Sequence, residues 1–246
     1  MLDIHNLSKN FGALKVSQDI SISVEAGQCH ALIGPNGAGK TTLIHQISGV
    51  LRPDTGRIAL DGHDISHLSV SARVQAGLSR TFQITSVLPS FSVLENTAIA
   101  AQAKSGTSMH FFKDASREKR LNETAQDTLA RVGLADRAHV QAAELSHGEL
   151  RLLEIAIALA AKPKFLLLDE PMAGLGRSES AALVTLLADL RRSLPMLLVE
   201  HDMDAIFQLA DVVYVLVDGR IVAQGSPDEV RADPAARAAY LGDSIG

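Results

Sequence analysis

The sequence predicts an α/β fold with a largely parallel core sheet and a helical stretch set into it. Three observations carry this. Short apolar runs of strand length alternate with helix-length segments, as they do where helices cross over between parallel strands. One such strand, "CHALIG", runs into a glycine-rich loop that opens a helix. From about Ser92 to Ala160 the texture is helical, and strand character resumes after it.

"FGALKVSQDISISV" mixes polar and apolar residues in short alternation, as half-buried strands do. "KTTLIHQISGVL" reads as a helix with Leu43, Ile44, Ile47 and Leu51 on one side. "GRIALDGHDI" gives a strand, an Asp61-Gly62 turn and a second short strand. "SVLENTAIAAQA", "SREKRLNETAQDTLARVGL" and "ELRLLEIAIALA" suit helices, the second with a seam of Leu121, Ala125, Leu129 and Val132. "KSGTSMHFFKD" between the first two reads as an exposed loop. "KFLLLDE", "PMLLVEHD" and "DVVYVLVDGRIVAQG" return to strands, the last a hairpin turning on Asp218-Gly219.

Composition narrows the classes. A chain of 246 residues, 46% hydrophobic, has room for one well-cored domain. Its net charge is −5 and no Lys/Arg block stands out, which disfavours a broad basic face for nucleic acid. Cys29 is the sole cysteine and reads as a small buried strand residue, so no intrachain disulfide forms, which fits a reducing compartment. "MLDIHNLSKNFG" lacks the apolar core of a signal peptide. No run reaches the roughly 18–20 apolar residues that span a bilayer. The expectation is a cytoplasmic protein whose membrane role, if any, is peripheral.

Two motifs carry chemistry. "GPNGAGKT" (Gly34, Pro35, Asn36, Gly37, Ala38, Gly39, Lys40, Thr41) matches the phosphate-loop pattern G-x-x-x-x-G-K-[ST] between a strand and a helix. Its glycines let backbone N–H groups face phosphate oxygens, and the helix N-terminus adds positive potential. Lys40 can reach β- and γ-phosphates, Thr41 is a magnesium-ligand candidate and Thr42 a further phosphate contact. "FLLLDEP" is an apolar strand ending in two carboxylates, where α/β ligands bind. Asp169 is the second candidate to hold magnesium. Glu170 is the candidate to polarise an attacking water.

With these in place the chain resembles the ATP-binding subunits of ABC transporters over nearly its whole length. "LSHGE" at Leu145–Glu149 stands where that family carries its signature, usually Leu-Ser-Gly-Gly-Gln. "RTFQ" supplies the Q-loop glutamine, Gln83; "VEHD" the switch histidine, His201; "AGLG" at Ala173–Gly176 the D-loop. Phe11 matches the aromatic that stacks on adenine, with Val16 placed beside it. The resemblance implies a P-loop NTPase core of mainly parallel sheet, with an antiparallel β subdomain and an inserted α-helical subdomain. Residues 1–83 and 161–246 would form the core and β subdomain, and about 84–160 the helical one. It implies ATP and Mg2+ as cofactors, with Gln83 sensing metal or water and His201 holding the γ-phosphate. Two ATPases would pack head to tail, so that Ser146, Gly148 and Glu149 face the partner's nucleotide.

"LSRTFQ", "LLEIAIAL", "EPMAGL", "VEHDM" and "GSPDEVRADPAARAAYLGD" narrow the likeness to the branched-chain amino-acid uptake family, and to its LivG-type subunits. The implied partners are a second ATPase subunit, two transmembrane permeases and, indirectly, a solute-binding protein. A permease coupling helix would enter a groove near Gln83, lined by Ile84–Val93. Systems for urea, amides or aromatic acids use similar ATPases. A soluble ABC ATPase and a small-molecule kinase are the other classes, and "LSHGE" in register with Gln83 and His201 argues against the second. Three departures stand out: His147 replaces a small signature residue, Gly176 a D-loop aspartate, and Ile157 an arginine. His147 is read as a tolerated replacement at the dimer face, with a direct chemical role as the alternative.

Overall fold

The computed structural model describes residues 1–81, 87–104 and 115–238. Strands β1 (Leu2–Phe11) and β2 (Leu14–Val24) form an antiparallel hairpin. The chain then enters β3 (Cys29–Ile33), the phosphate-loop segment and helix α1 (Lys40–Ser48). It returns through β4 (Thr55–Leu60) and β5 (His63–Asp64), which complete an antiparallel sheet of order β2-β1-β4-β5. Helix α2 (Val70–Ala76) and strand β6 (Leu78–Arg80) come after them.

Helices α3 (Val93–Lys104), α4 (Ala115–Val132) and α5 (His147–Ala160) come next and pack on one another. The rest alternates: β7 (Phe165–Asp169), α6 (Arg177–Leu190), β8 (Met196–Val199), α7 (Met203–Leu209), then the hairpin β9 (Val212–Val217) and β10 (Arg220–Gly225), and α8 (Pro227–Ala232). The second sheet has the order β10-β9-β3-β8-β7-β6 and is parallel except for its β10 edge.

The central strands β3, β7 and β8 are buried along their whole length, which is why they read as unbroken apolar runs. One face packs against α1 and the antiparallel sheet: Leu167 and Leu197 meet a cluster with Leu43, Ile44, Ile47, Ile4 and Ile22. The other face, through Leu166, Leu168 and Leu198, packs on α5 and α6 through Leu153, Ile155 and Leu183. Ala125, Leu129 and Val132 of the α4 seam are buried, and Leu121 is half-buried. Cys29 is buried in β3, and burial pushes its thiol up to about 12, so it remains a protonated core residue.

The turns at Asp61-Gly62 and Asp218-Gly219 are as expected. Two features differ. Helix α1 stops at Ser48, short of Leu51, because Gly49 adopts the left-handed conformation (φ 84°) and turns its N–H onto Gln46 O. The freed carbonyls are capped by Arg73 of α2. Its Nη1 donates to Gln46 O at 2.7 Å and Ile47 O at 2.6 Å, while Nη2 reaches Ser66 O at 2.8 Å. A buried guanidinium at a helix C-terminus complements the dipole there. Helix α2 and strand β6 are, like β1, α6, α7 and α8, not among the elements named from the sequence; at seven and three residues, α2 and β6 are too short to show a period. The expected loop spans residues 104–114; Lys104 instead ends α3, and 105–114 lie outside the described residues.

His30 in β3 is buried, with Nε2 2.9 Å from Gln28 Oε1 and its ring 5.6 Å from that of Tyr214. Burial pulls its pKa down to about 4, against an opposing pull from Asp211. The unfolded chain, with an ordinary histidine near 6.5, therefore binds a proton that the folded protein refuses. Stability owed to a neutral His30 is complete above about pH 6.5 and is lost as pH falls toward 4. His30→Asn should flatten the decline of the urea midpoint between about pH 6.5 and 5, and an unchanged slope would contradict this.

Candidate functional site

Parallel pairing sets the site. Leu32 of β3 pairs with Val199 of β8, and Val199 pairs in turn with Asp169 of β7. The three strands therefore end at one level, and the phosphate-loop segment, Asp169-Glu170 and Glu200-His201 leave the sheet side by side. This is where ligands meet open α/β sheets.

The phosphate-loop segment is built on tight backbone. Gly37 and Gly39 have φ of 83° and 105°, in the left-handed region. A Cβ on Gly39 would lie 2.6 Å from Val16 O, so only glycine admits the approach of β2. Val16 is thus brought to the loop, through its backbone. The loop is held further by Gly219 N donating to Ala38 O at 3.0 Å and Gln18 N to Gly219 O at 2.7 Å. Gln46 of α1 donates to the Ser17 hydroxyl at 2.7 Å. Asn36, Gly37 and Thr41 are exposed, Pro35, Lys40 and Thr42 half-buried, and Gly34, Ala38 and Gly39 buried. Phe11 is 52% exposed at the β1 end, with Lys9 Nζ 5.7 Å from its ring centre.

Lys40 folds back onto its own loop, donating to Gly34 O at 2.6 Å and Pro35 O at 3.1 Å. Desolvation lowers its pKa, while the charges of Glu170 and Asp169 oppose that. Lys40 and both carboxylates therefore share one electrostatic neighbourhood. Asp169 is 2% exposed and pairs through Oδ2 with Arg80 Nη2 at 2.8 Å. Glu170 sits with φ 48°, a left-handed conformation that costs a residue with Cβ about 1–2 kcal/mol. Its N–H donates to Val199 O at 2.8 Å, which fixes the turn out of the sheet. His201 projects from the next strand end with its side chain 63% exposed.

A second cluster stands at the N-terminus of α5. Ser146 is the N-cap: its Oγ accepts from Glu149 N at 3.2 Å, and Glu149 Oε2 accepts from Ser146 N at 2.8 Å. The backbone N–H of Ser146 holds the Glu149 carboxyl below its ordinary range, and Arg137 pairs with it at 3.0 Å. The Ser146–Glu149 spacing is thus a capping-box signal as well as part of the signature. Gly148 is packed by the Glu179 carboxylate, which also accepts from Gly176 N at 2.9 Å. Glu179 thereby caps α6 where Gly176 has no side chain to do so. Gln83 lies outside the described residues.

Sequence reasoning missed Arg80 and Glu200. Arg80 belongs to the quoted "RTFQ", but its partner, Asp169, is 89 residues away in the chain. Glu200 stands inside "VEHD" next to His201, and the motif itself is the only local signal for it.

The fold and its row of strand ends define a phosphate-loop NTPase. Residues 17–173 match the family described as ABC transporter, and residues 220–245 the family described as Branched-chain amino acid ATP-binding cassette transporter. The chain belongs to the ABC transporter family, as an ATP-binding subunit that hydrolyses ATP. It is 35% identical to the high-affinity branched-chain amino acid transport ATP-binding protein LivG of Salmonella typhimurium, covering 99% of this chain and 98% of the relative. It is also 34% identical to the lipopolysaccharide export system ATP-binding protein LptB of Haemophilus influenzae, over 100% of this chain and 98% of the relative. Among solved structures, the ADP conformation of MJ1267, an ATP-binding cassette of an ABC transporter, superposes with a TM-score of 0.87 at 31% identity, over 99% of both chains.

His147, the large residue within the signature, has a definite place. Its ring lies over the Ala173–Gly174 backbone, Nε2 3.4 Å from Ala173 O. Gly174 has φ 78°, and a Cβ there would come within 2.7 Å of Nε2. Gly174→Ala should cost about 1–3 kcal/mol in urea unfolding, from backbone strain and crowding together. Adding His147→Ala should return the crowding share. Additive losses in the double variant would show that the ring does not rest there.

Proposed function

We propose that this chain drives uptake of branched-chain amino acids, or of a closely related small solute, as one ATPase subunit of an importer. The match of residues 220–245 to the branched-chain family carries the choice of solute. The full-length likeness to LivG of Salmonella typhimurium supports it. Urea, amides and aromatic acids stand as the alternative cargoes. The chain would work at the inner face of the membrane, bound to two permease subunits and served by an external solute-binding protein. None of the described helices is long and apolar enough to cross a bilayer, which accords with a peripheral subunit. Residues 1–83 and 161–246 would act as the core with its β subdomain, and about 84–160 as the helical subdomain that meets the permeases.

In this reading Phe11 and Val16 flank the adenine. The backbone of Gly34, Pro35, Asn36, Gly37, Ala38 and Gly39, together with Thr42, surrounds the phosphates. Lys40 leaves its loop carbonyls for the β- and γ-phosphates. Asp169 and Thr41 offer a carboxylate and a hydroxyl, hard oxygen donors of the kind magnesium takes, and would hold the ion with Gln83 nearby. When bound, the metal would neutralise phosphate charge. Glu170 accepts a proton from, or orients, the attacking water, and His201 holds the γ-phosphate in line. Ser146, Gly148 and the α5 N-terminus complete the site of a second ATPase, with Glu149 fixing the cap. Loss of the γ-phosphate then releases the two subunits.

The test is solute uptake in a strain lacking this gene. Labelled leucine, isoleucine and valine uptake should fall and be restored by the wild-type chain. Glu170→Gln should not restore it, while its purified complex binds ATP normally and turns it over about a hundredfold or more slowly. Normal branched-chain uptake with a deficit in urea, amides or aromatic acids would move the assignment to that cargo. Normal turnover by Glu170→Gln would remove Glu170 from the chemistry.

A further inference from the structure

Glu200 is a buried carboxylate that takes no part in the mechanism above. It lies just past β8, and its side chain is 0% exposed. Oε1 accepts from Met172 N at 2.7 Å. Oε2 accepts from His201 N at 2.8 Å and Asp202 N at 3.3 Å. The His201 Nδ1 lies 3.6 Å from Oε2, beyond hydrogen-bond length. A carboxylate taken wholly out of water is costly unless its oxygens are satisfied. Here backbone N–H groups satisfy them, as charge-assisted bonds.

The donors come from two different loops. Met172 stands two residues beyond Glu170, in the turn where Ala173 N donates to Glu170 O at 3.1 Å. His201 and Asp202 open the loop before α7, where Asp202 caps the helix by accepting from Ala205 N at 3.2 Å. Each oxygen of Glu200 thus holds one loop, and the carboxylate plane fixes the distance between them. Val199, the residue before Glu200, also accepts the N–H of Glu170, so the end of β8 grips the Glu170 turn at two successive positions.

We propose that Glu200 is a positioning residue for ATP hydrolysis: its carboxylate clamps the Glu170–Met172 turn to the His201 loop, and so sets the geometry between the group that acts on water and the group that holds the γ-phosphate. The inference rests on the roles proposed for Glu170 and His201. Glu200 touches neither nucleotide nor water in it. A misplacement of about an ångström between such groups can lower turnover by about a hundredfold.

Glu200→Gln is the informative change. It keeps the shape but replaces one acceptor oxygen with an NH2 that faces a backbone N–H, so one loop must let go and the link between them is cut. In the assembled transporter, kcat should fall by about tenfold to a hundredfold with KM for ATP changed less than about threefold. Amide exchange read by mass spectrometry should quicken in the peptides holding Met172 and His201, and not in those of β3 or α1. Glu200→Asp retains two acceptors on a shorter stem and should recover part of kcat. Unchanged exchange in both loops would overturn the clamp, and quickened exchange with unchanged kcat would overturn the positioning role. A fall in stability that quickens exchange throughout the chain, with KM rising alongside, would show a merely structural carboxylate. Wild-type complex that hydrolyses no ATP would remove the proposed function, while the exchange measurement would still decide the clamp.

Discussion

The constraint on which the rest depends is the level at which three parallel strands end. Leu32, Val199 and Asp169 stand in one row across β3, β8 and β7. A shift of one strand by two residues would keep every apolar side chain on its correct face and still move Asp169 or His201 about 6–7 Å along the sheet. Hydrophobic burial therefore does not by itself secure the site. Register is held by bonds made just beyond the strand ends: the Glu170 N–H on Val199 O, and the Met172 N–H on the Glu200 carboxylate. The loops at the candidate site thus also lock the alignment of the strands beneath them.

A similar double use is found at α5. Ser146 and Glu149 form a capping box, which any helix of this kind can use to satisfy its first N–H groups. The hydroxyl oxygen accepts from Glu149 N while its hydrogen faces the Glu149 carboxylate, so a role toward a partner's nucleotide would require that hydrogen to turn away from Glu149. His147 rests on Ala173 and Gly174, and Glu179 reaches from α6 to Gly148, so the Leu145–Glu149 and Ala173–Gly176 stretches are packed together within one chain. The large residue at position 147 and the bare Gly174 fit one another.

Much of this is legible in the sequence, for reasons that differ by element. Buried parallel strands announce themselves as short apolar runs, and "CHALI", "FLLLD" and "MLLV" are β3, β7 and β8. The phosphate-loop pattern is local, so Gly34 to Thr41 can be read as a unit. The end of α1 is not legible in the same way, because its stop depends on Gly49 together with Arg73, which lies 26 residues beyond Ile47. Partnerships of that range leave no periodic trace. Arg80 with Asp169, Glu200 with Met172 and Glu179 with Gly148 are hidden for the same reason: each joins residues far apart in the chain. Gln83 can be read only through the family resemblance.

In the proposed reading, the charges at the site would favour hydrolysis by an assembled pair. Among the described residues, Lys40 and Arg80 face Asp169 and Glu170, two cations against two carboxylates. Arg80 is already engaged with one oxygen of Asp169, with the two side chains 7% and 3% exposed. Lys40 is engaged with two carbonyls of its own loop. In the proposed reading a triphosphate would draw Lys40 off those carbonyls, and the loop N–H groups and the α1 N-terminus would supply the remaining compensation. That loop is itself open to solvent at Asn36, Gly37 and Thr41. Water screens a charge on that open side and weakens every electrostatic contact made there. Covering it with a second positive helix end, such as that of α5, both adds compensation and excludes water, so a closed pair would provide what one chain lacks.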